Sequence, residues 1–305
     1  MTTNSTYRPF LILGGTGTVG SRVTHHLRKE GHPALIASRS AKGNGEGPLA
    51  AKGAVYFDWY DESTYLNAFN HPLAVGCGGI RGIFIVAPPS TNMAPAIQAF
   101  IDLAKGKGVR RFVFVSASSV SMGDEVLGGL VHKYLYELGS AGEIEWAVLR
   151  PCWFMENFIT QRERVDFSPE GGVIYSATGE GRIPFVSADD VAECAACLLL
   201  DPDPPNSDFL ILGPEALSYG DAAKILSEVL QKPVIHKDLT VFEMEARLRS
   251  FGISEDYAKI LGAMETNVKH GSEDRMDDSV LAITGKRPKT LREWAEEYKA
   301  ALLET

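Results

Sequence analysis

Four glycines follow an apolar run at residues 10–13 and lead into a helix-like segment that begins near Ser21. The N-terminus of a helix carries unpaired N–H groups and the positive end of the helix dipole, so it attracts anions. Glycines allow a sharp turn and a close approach of a pyrophosphate to the backbone. This order predicts a dinucleotide-binding loop, against the alternative of an ordinary glycine-rich turn. The predicted contacts are Gly14, Gly15, Thr16, Gly17, Thr18, Val19 and Gly20.

The residues after the second apolar run, 34–38, indicate which form of the dinucleotide is bound. An acidic residue commonly holds the ribose 2′-hydroxyl of NAD at this point. This chain has Ser38 and Arg39 there, with no Asp or Glu beside them. A guanidinium fork suits a 2′-phosphate, which favours NADP(H). The alternative is that Arg39 is a solvated loop charge.

Further candidates follow later apolar runs, because parallel strands place their ligand crevice at their carboxyl ends. Asp58 is predicted either to accept from the adenine amino group or to hold a turn. The proline turn after residues 82–87 is predicted to line the cofactor trough or simply to end its strand. The small hydroxyl side chains near Ser118 fall where the nicotinamide is expected. The further cofactor candidates are Ser38, Asp58, Trp59, Ala87, Pro88, Pro89, Ser116, Ala117 and Pro151, and Ser118 is assigned to the substrate.

The helix predicted at 127–141 lacks the usual acid of short-chain dehydrogenases. Those enzymes carry Tyr-x-x-x-Lys, in which the phenol protonates a carbonyl oxygen and the lysine lowers its pKa. No tyrosine in this chain has a lysine four residues later. His132 and Tyr136 lie four residues apart on one helix face and are the candidate catalytic pair. A structural or solvent-facing role is the alternative for His132.

An aromatic segment follows the apolar run at residues 146–149 and reads Arg150-Pro-Cys-Trp-Phe-Met-Glu-Asn-Phe158. Trp153 and Phe154 have side chains that stack on a ring or shelter a cation. Asn157 is able to fix a polar group. We therefore assign Trp153, Phe154 and Asn157 to the substrate, with a place in the core of a second lobe as the alternative.

These residues need a scaffold, and alternating apolar runs and helical patterns predict one. The predicted strands are 10–13, 34–38, 54–57, 82–87, 111–116, 146–149 and 209–212, and the predicted helices are 21–30, 62–69, 94–107, 127–141, 218–231, 240–251, 254–267 and 290–303. Continuous apolar strands between helices indicate an α/β fold of the Rossmann type, a doubly wound parallel sheet. Residues 1–150 are the predicted NADP(H)-binding domain. Residues 151–305 are predicted to form a smaller, mostly helical substrate lobe that adds to the sheet and is not independent.

Composition narrows the class of protein. The 305 residues are 45% hydrophobic and 23% charged, which is ordinary globular usage. The net charge of -9 argues against a nucleic-acid surface, which needs clustered Lys and Arg. No stretch approaches the roughly 20 apolar residues of a membrane span, so we expect a cytoplasmic protein without a membrane partner. Four cysteines are too few for a disulfide framework, and the pair Cys194 and Cys197 is assigned to core packing rather than to a metal.

Several motifs together resemble the NmrA-like branch of atypical short-chain dehydrogenases, over essentially the whole chain. They are Gly14-Gly-Thr-Gly-Thr-Val-Gly20, the missing Tyr-x-x-x-Lys, Leu149-Arg-Pro151, Asn157 and Ile183-Pro-Phe-Val186. A second set is similar to the fungal festuclavine and agroclavine dehydrogenases of ergot alkaloid synthesis. It comprises Ala37-Ser-Arg-Ser40, Phe57-Asp-Trp59, Thr64-Tyr65, Val131-His-Lys-Tyr-Leu135, Glu145-Trp146 and Arg150–Phe158. Cys152 is a departure, because threonine is expected there.

The resemblance implies NADPH-dependent reduction of an iminium to an amine on a cationic indole alkaloid. Hydride added to a ketone leaves an alkoxide that needs a proton, whereas hydride added to an iminium carbon neutralises a cation. The missing tyrosine is then explained. Two alternatives stay open: an alkaloid cyclase or epimerase acting through His132 or Tyr136, and a non-catalytic NADP(H)-binding regulator. The sequence carries no signal for an oligomeric state.

Overall fold

The computed structural model describes residues 7–41, 53–88, 90, 92–168 and 170–304. The chain divides into two compact units. Unit 1 consists of Met1–Arg150 and Val191–Phe209, and unit 2 consists of Pro151–Asp190 and Leu210–Thr305. None of the helices found in the described ranges is long and apolar enough to cross a membrane.

The strands and helices of the described residues are as follows in chain order. The strands are β1 (Phe10–Leu13), β2 (Ala34–Ser38), β3 (Ala54–Tyr56), β4 (Gly82–Val86), β5 (Arg111–Val115), β6 (Glu145–Pro151), β7 (Val165–Ser168), β8 (Gly171–Ser176), β9 (Ser207–Ile211) and β10 (Val234–Asp238). The helices are α1 (Thr18–Lys29), α2 (Asn67–Asn70), α3 (Pro72–Gly76), α4 (Ala94–Gly106), α5 (Gly129–Ser140), α6 (Asn157–Thr160), α7 (Ala188–Leu200), α8 (Tyr219–Leu230), α9 (Val241–Ser250), α10 (Glu255–Lys269), α11 (Ser279–Thr284), α12 (Leu291–Glu297) and α13 (Lys299–Glu304).

A seven-stranded sheet organises unit 1, with the order β3-β2-β1-β4-β5-β6-β9. Strands β1 to β6 pair in parallel, with Leu11 opposite both Leu35 of β2 and Ile83 of β4. All four residues of β1 and four of the five in β4 are buried, as expected for strands covered on both faces. The predicted Rossmann-type fold is confirmed. The carboxyl ends of β1 to β6 therefore lie at one edge of the sheet.

A buried arginine at the amino end of β5 links this sheet to the end of α7. Arg111 is 7% exposed, and its guanidinium donates to Glu145 Oε2 at 2.7 Å. It also donates to the carbonyls of Leu198 at 3.3 Å and Asp203 at 3.2 Å, and to that of Asp201. These carbonyls lie at and just beyond the end of a helix, where no intrahelical donor remains for them. Arg111 thus satisfies several acceptors at once.

Unit 2 contains a second sheet that the sequence analysis did not predict. Strands β7 and β8 form an antiparallel hairpin, and β10 pairs with β8 in parallel. Its core packs around Trp294, which is fully buried. Two predicted helices also differ: 62–69 is a 3-10 turn followed by the short α2, and 290–303 is divided at Tyr298 into α12 and α13.

Candidate functional site

The glycine turn joins β1 to α1 at the carboxyl edge of the unit 1 sheet. Gly14 has φ +67°, a left-handed conformation that side-chain-bearing residues rarely adopt. The Gly17 N–H donates to the Gly14 carbonyl at 2.9 Å, and the Gly15 N–H donates to Ala37 O of β2 at 3.2 Å. These bonds fix the loop between two strands. Helix α1 then begins at Thr18, directly behind the turn.

The start of α1 presents free backbone donors without an opposing negative charge. Gly17 caps the helix and brings no side chain to the first N–H groups, and the first turn has no acidic residue. Thr16, Gly17 and Thr18 are exposed, whereas Val19 and Gly20 are buried. A Cβ on Gly20 would overlap the Gly14 carbonyl oxygen and lie 2.9 Å from the Gly15 Cα. Only glycine at position 20 allows this close approach of helix to turn, so the residues fit the pyrophosphate of a dinucleotide.

Arg39 follows β2 at the same edge of the sheet. It begins a 3-10 turn, Arg39–Ala41, and its side chain is exposed. Within the described ranges no acceptor holds its guanidinium, whereas the hydroxyls of Ser38 and Ser40 lie 2.8 Å apart and pair with each other. An unengaged guanidinium beside a dinucleotide loop is suited to bind a phosphate.

Asp58 and Trp59, which follow β3, both have roles within the fold. Asp58 Oδ1 accepts from the Tyr60 N–H at 3.1 Å, which is the turn role that the sequence left open. The Trp59 indole N–H donates to Val86 O at 3.2 Å, and its ring packs edge-on against Phe57 at 4.9 Å. Trp59 therefore braces the end of β4. Contacts of these two residues with the adenine stay a prediction.

The residues after β4 and β5 supply smaller groups. Ala87 is half-buried and Pro88 is buried, whereas Pro89 lies outside the described residues. After β5, the Ser116 N–H donates to Leu149 O at 2.8 Å. The Ser116 Oγ is buried and has no hydrogen-bond partner in the part of the chain that the structure describes. A buried hydroxyl without a partner at a strand's carboxyl end is a candidate ligand contact.

Three more predicted residues lie close to that end of the sheet. Ala117 is half-buried, and Ser118 is 3% exposed. The Ser118 carbonyl accepts from Arg150 Nη2 at 3.2 Å, which holds the loop after β5. Pro151 is the last residue of β6. Their contacts with cofactor and substrate stay predictions.

His132 lies in the interior of unit 1. It is 2% exposed, and neither ring nitrogen has a hydrogen-bond partner among the described residues. Asp208 Oδ1 lies 4.0 Å from its Nε2, and Asp208 Oδ2 accepts from Arg150 at 2.8 Å. Burial lowers the pKa of His132; Asp208 opposes this shift and Arg150 adds to it. His132 is thus a neutral imidazole packed in the fold.

Tyr136 lies on the same face of α5 as His132, one helical turn further along. Its side chain is 46% exposed, and its ring packs edge-on against Trp146 at 6.1 Å. Trp146 is the second residue of β6, at the amino end of that strand. The ring of His132 packs against the same indole at 5.8 Å, so the structure brings His132 and Tyr136 together at Trp146. Their assignment as a catalytic pair stays a prediction, which their placement does not favour.

The candidate substrate residues lie in unit 2, apart from Ser118. Trp153 O accepts from the Val186 N–H at 3.0 Å, and Phe154 forms a parallel bridge with Val186. Both aromatic side chains are partly buried, and Asn157 begins α6. The Arg164 guanidinium lies over the Trp153 ring, 4.9 Å from its centroid. This contact fixes the indole and leaves it partly accessible.

Sequence reasoning missed a buried polar group beside Trp153. Tyr219 is 2% exposed, and its ring lies 6.2 Å from that of Trp153. Arg164 pairs with Glu265 in the same interior, and both side chains are buried. The available signal was the capping box that begins at Ser218, which places Tyr219 at the first position of α8. A capping box predicts the start of a helix but not the burial of a phenol.

The cysteines lie at four separate places along the described chain, at positions 77, 152, 194 and 197. None of the four, all of which lie in the described ranges, forms a disulfide. Cys152 is buried, and its Sγ donates to Glu273 Oε2 at 3.6 Å. Across the described residues, no group of three or more His, Cys, Asp or Glu could hold a metal ion.

The comparisons with known proteins decide the class of this chain. The profile of a family described as NAD(P)H-binding matches residues 14–202, which include the glycine turn. The chain belongs to the NAD(P)H-binding family. It is therefore an NAD(P)H-binding protein of the reductase type, and the cofactor class predicted from the glycine turn is confirmed.

Several known proteins match along almost the whole chain. Festuclavine synthase II of Penicillium roqueforti is 39% identical, over 95% of this chain and 98% of that protein. An uncharacterized oxidoreductase of Bacillus subtilis is 37% identical, over 96% of each. Agroclavine dehydrogenase of Claviceps fusiformis is 35% identical, over 95% and 96%. The resemblance to the festuclavine and agroclavine enzymes is thus confirmed.

A solved structure supports the fold of this family member. The triphenylmethane reductase of Citrobacter sp., crystallised with NADP(H), superposes with a TM-score of 0.74. It covers 95% of this chain and 99% of its own, at 18% identity. At that identity the similarity shows the Rossmann-type fold alone.

Proposed function

We propose that this protein is an NADPH-dependent reductase that adds hydride to the carbon of a cyclic iminium on an indole-type alkaloid intermediate. One observation carries the proposal. A chain that matches festuclavine synthase and agroclavine dehydrogenase over about 95% of its length has no Tyr-x-x-x-Lys motif in its sequence. A reductase without that acid suits an acceptor that needs no proton when hydride arrives.

Unit 1 would hold the cofactor through residues with separate tasks. The N–H groups at the start of α1 bind the pyrophosphate, and glycine at position 20 keeps helix and turn close together. The exposed, unengaged guanidinium of Arg39 binds a 2′-phosphate, which supports NADPH over NADH. Ser116 offers its free hydroxyl near the end of β5. When bound, NADPH supplies the hydride.

Unit 2 would provide the substrate site. The aromatic side chains of Trp153 and Phe154 shelter a delocalised cation, whose charge is lost when the carbon is reduced. Arg164 holds the Trp153 indole in place, because its guanidinium stacks on the ring and is itself paired with Glu265. Catalysis then consists of orienting the electrophilic carbon and excluding water that would hydrolyse it. No side chain has to change its protonation state in this step.

The relative from Bacillus subtilis calls for a broad substrate panel. Its 37% identity lies between the 39% of festuclavine synthase II and the 35% of agroclavine dehydrogenase, and its name states no substrate. Identity alone therefore does not select an indole substrate over other cyclic iminium ions. The deciding comparison is between an indole-fused iminium and one without an indole.

The test is NADPH consumption with a matched panel of acceptors. N-methyl dihydro-β-carbolinium carries an indole, N-methyl dihydroisoquinolinium does not, and a cyclic ketone of similar size requires a proton donor. We expect turnover with the iminium ions, preference for the indole-fused one, and none with the ketone. Reduction of the ketone alone would contradict the proposal. Tight NADP(H) binding without any turnover would favour a regulator, and conversion without NADPH consumption would favour a cyclase or epimerase.

A further inference from the structure

Tyr219 is a buried phenol whose hydroxyl is not used by the fold. The residue is 2% exposed, no hydrogen bond joins its hydroxyl to another described residue, and its oxygen is not among the fully buried side-chain atoms that lack a partner. The comparison within this chain is Tyr65, which is 4% exposed and donates to Trp59 O at 2.9 Å. Within the described ranges the fold therefore supplies a partner to the Tyr65 hydroxyl and none to that of Tyr219, which is left for a ligand or water.

The ring of Tyr219 is fixed on its apolar sides. Phe185 and Phe158 pack against it at 5.2 Å and 6.0 Å between ring centroids, and Trp153 at 6.2 Å. The ring of His236 stacks on it at 5.8 Å. With aromatic neighbours around it, the phenol has little freedom to turn its hydroxyl elsewhere. Its position is therefore set before any ligand arrives.

The polar groups near the hydroxyl are already engaged with one another. Burial raises the pKa of Tyr219, and the positive charge of Arg164 opposes this shift while Glu265 adds to it. The carboxylate of Glu265 accepts from Arg164 and from the Ala177 N–H. The Cys152 thiol donates to Glu273. Tyr219 thus remains a neutral phenol that is able to donate and to accept.

We infer that Tyr219 is a substrate-contacting residue, whose hydroxyl forms a hydrogen bond with an N–H or O–H group on the substrate's ring system. This inference rests on the proposed function only in taking Trp153 as a wall of the substrate site. Trp153 lies directly beside Tyr219, so a ring placed against that indole is within reach of the phenol. A bound ligand would supply the hydrogen-bond partner that the described residues do not provide. Tyr219 would then help to select substrates by their polar groups.

The experiment compares Tyr219→Phe with Tyr65→Phe as the matched control. For N-methyl dihydro-β-carbolinium, which carries an indole N–H, we expect Tyr219→Phe to raise KM about 10-fold and to leave kcat within about twofold. Its Tm should be unchanged, because the hydroxyl forms no hydrogen bond to another described residue. Tyr65→Phe should lower Tm and leave KM unchanged, because its hydroxyl bond belongs to the fold. An unchanged KM in Tyr219→Phe would overturn the inference.

A binding measurement separates this inference from the proposed function. The saturated amine, N-methyl tetrahydro-β-carboline, is titrated into NADP⁺-loaded protein, and its Kd is followed by tryptophan fluorescence. If wild type reduces no iminium, the proposed function fails. In that case a Kd for the amine that is about 10-fold higher in Tyr219→Phe than in wild type still supports the Tyr219 contact. Equal Kd values, or no binding to wild type, would overturn it.

Discussion

Replacing Arg39 with serine tests the cofactor preference at a single exposed side chain. Arg39 has no acceptor within the described ranges, so its removal breaks no ion pair among those residues and should leave stability unchanged. A hydrogen bond to a charged group contributes about 1.5–3 kcal/mol. Loss of one such bond to the 2′-phosphate corresponds to a rise of about 10- to 150-fold in the Kd for NADPH. NADH lacks that phosphate, so its Kd should change by less than about threefold.

The assay is quenching of tryptophan fluorescence or calorimetric titration with each dinucleotide. Arg110→Ser is the matched control, because Arg110 is also exposed but precedes β5 at the amino edge of the sheet. It should change neither Kd. Arg39→Asp should go further, since a carboxylate repels the 2′-phosphate and accepts from a ribose 2′-hydroxyl. Equal weakening of NADPH and NADH by Arg39→Ser would refute the phosphate assignment.

Three further substitutions follow from the positions of Tyr136, Arg111 and His132. Tyr136→Phe should leave kcat/KM within about twofold, because the hydroxyl lies on a half-exposed ring away from the carboxyl edge; a fall of about 100-fold or more with intact folding would instead indicate acid catalysis. Arg111→Met should lower the free energy of unfolding by about 3–5 kcal/mol in urea titrations, because it leaves buried acceptors without a donor, whereas the exposed Arg110→Met should change it by less than about 0.5 kcal/mol. Burial lowers the pKa of His132 in the folded state, so the imidazole of the unfolded chain is protonated first as pH falls below about 6.5. Below that pH, His132 therefore lowers the free energy of unfolding by up to about 1.4 kcal/mol per pH unit. His132→Leu should remove that part of the pH dependence, and an unchanged slope of unfolding free energy against pH would contradict the assignment.

The parallel sheet of unit 1 was predictable because its strands are continuous apolar runs. The bounds of β1 and β2 match the predicted 10–13 and 34–38, and β4 and β5 differ from their predicted bounds by one residue. A strand covered on both faces has few polar positions, so its pattern stands out against the helices. The glycine turn was also predictable from the sequence. The spacing of its glycines depends on contacts between residues near one another in the chain, as the approach of Gly20 to Gly14 shows.

The sheet of unit 2 was not predictable from local patterns. β7 reads Val-Asp-Phe-Ser and β10 reads Val-Ile-His-Lys-Asp, so polar side chains interrupt both short strands. The pairing of β10 with β8 joins segments far apart in sequence, whereas β7 and β8 are neighbours in a hairpin. The indole N–H of Trp59 similarly goes to Val86 O, a contact that no local pattern encodes. Tyr219 was missed because its burial is decided by tertiary neighbours rather than by its own segment.

Deuterium transfer tests the central claim most directly. Wild-type protein is incubated with NADPH stereospecifically deuterated at the transferring position and with N-methyl dihydro-β-carbolinium, and the product amine is examined by mass spectrometry and NMR. The proposed reduction predicts one deuterium per product, on the former iminium carbon, with one NADPH consumed per turnover. Product that forms without the label, or label at any other carbon, would contradict direct hydride addition to the iminium.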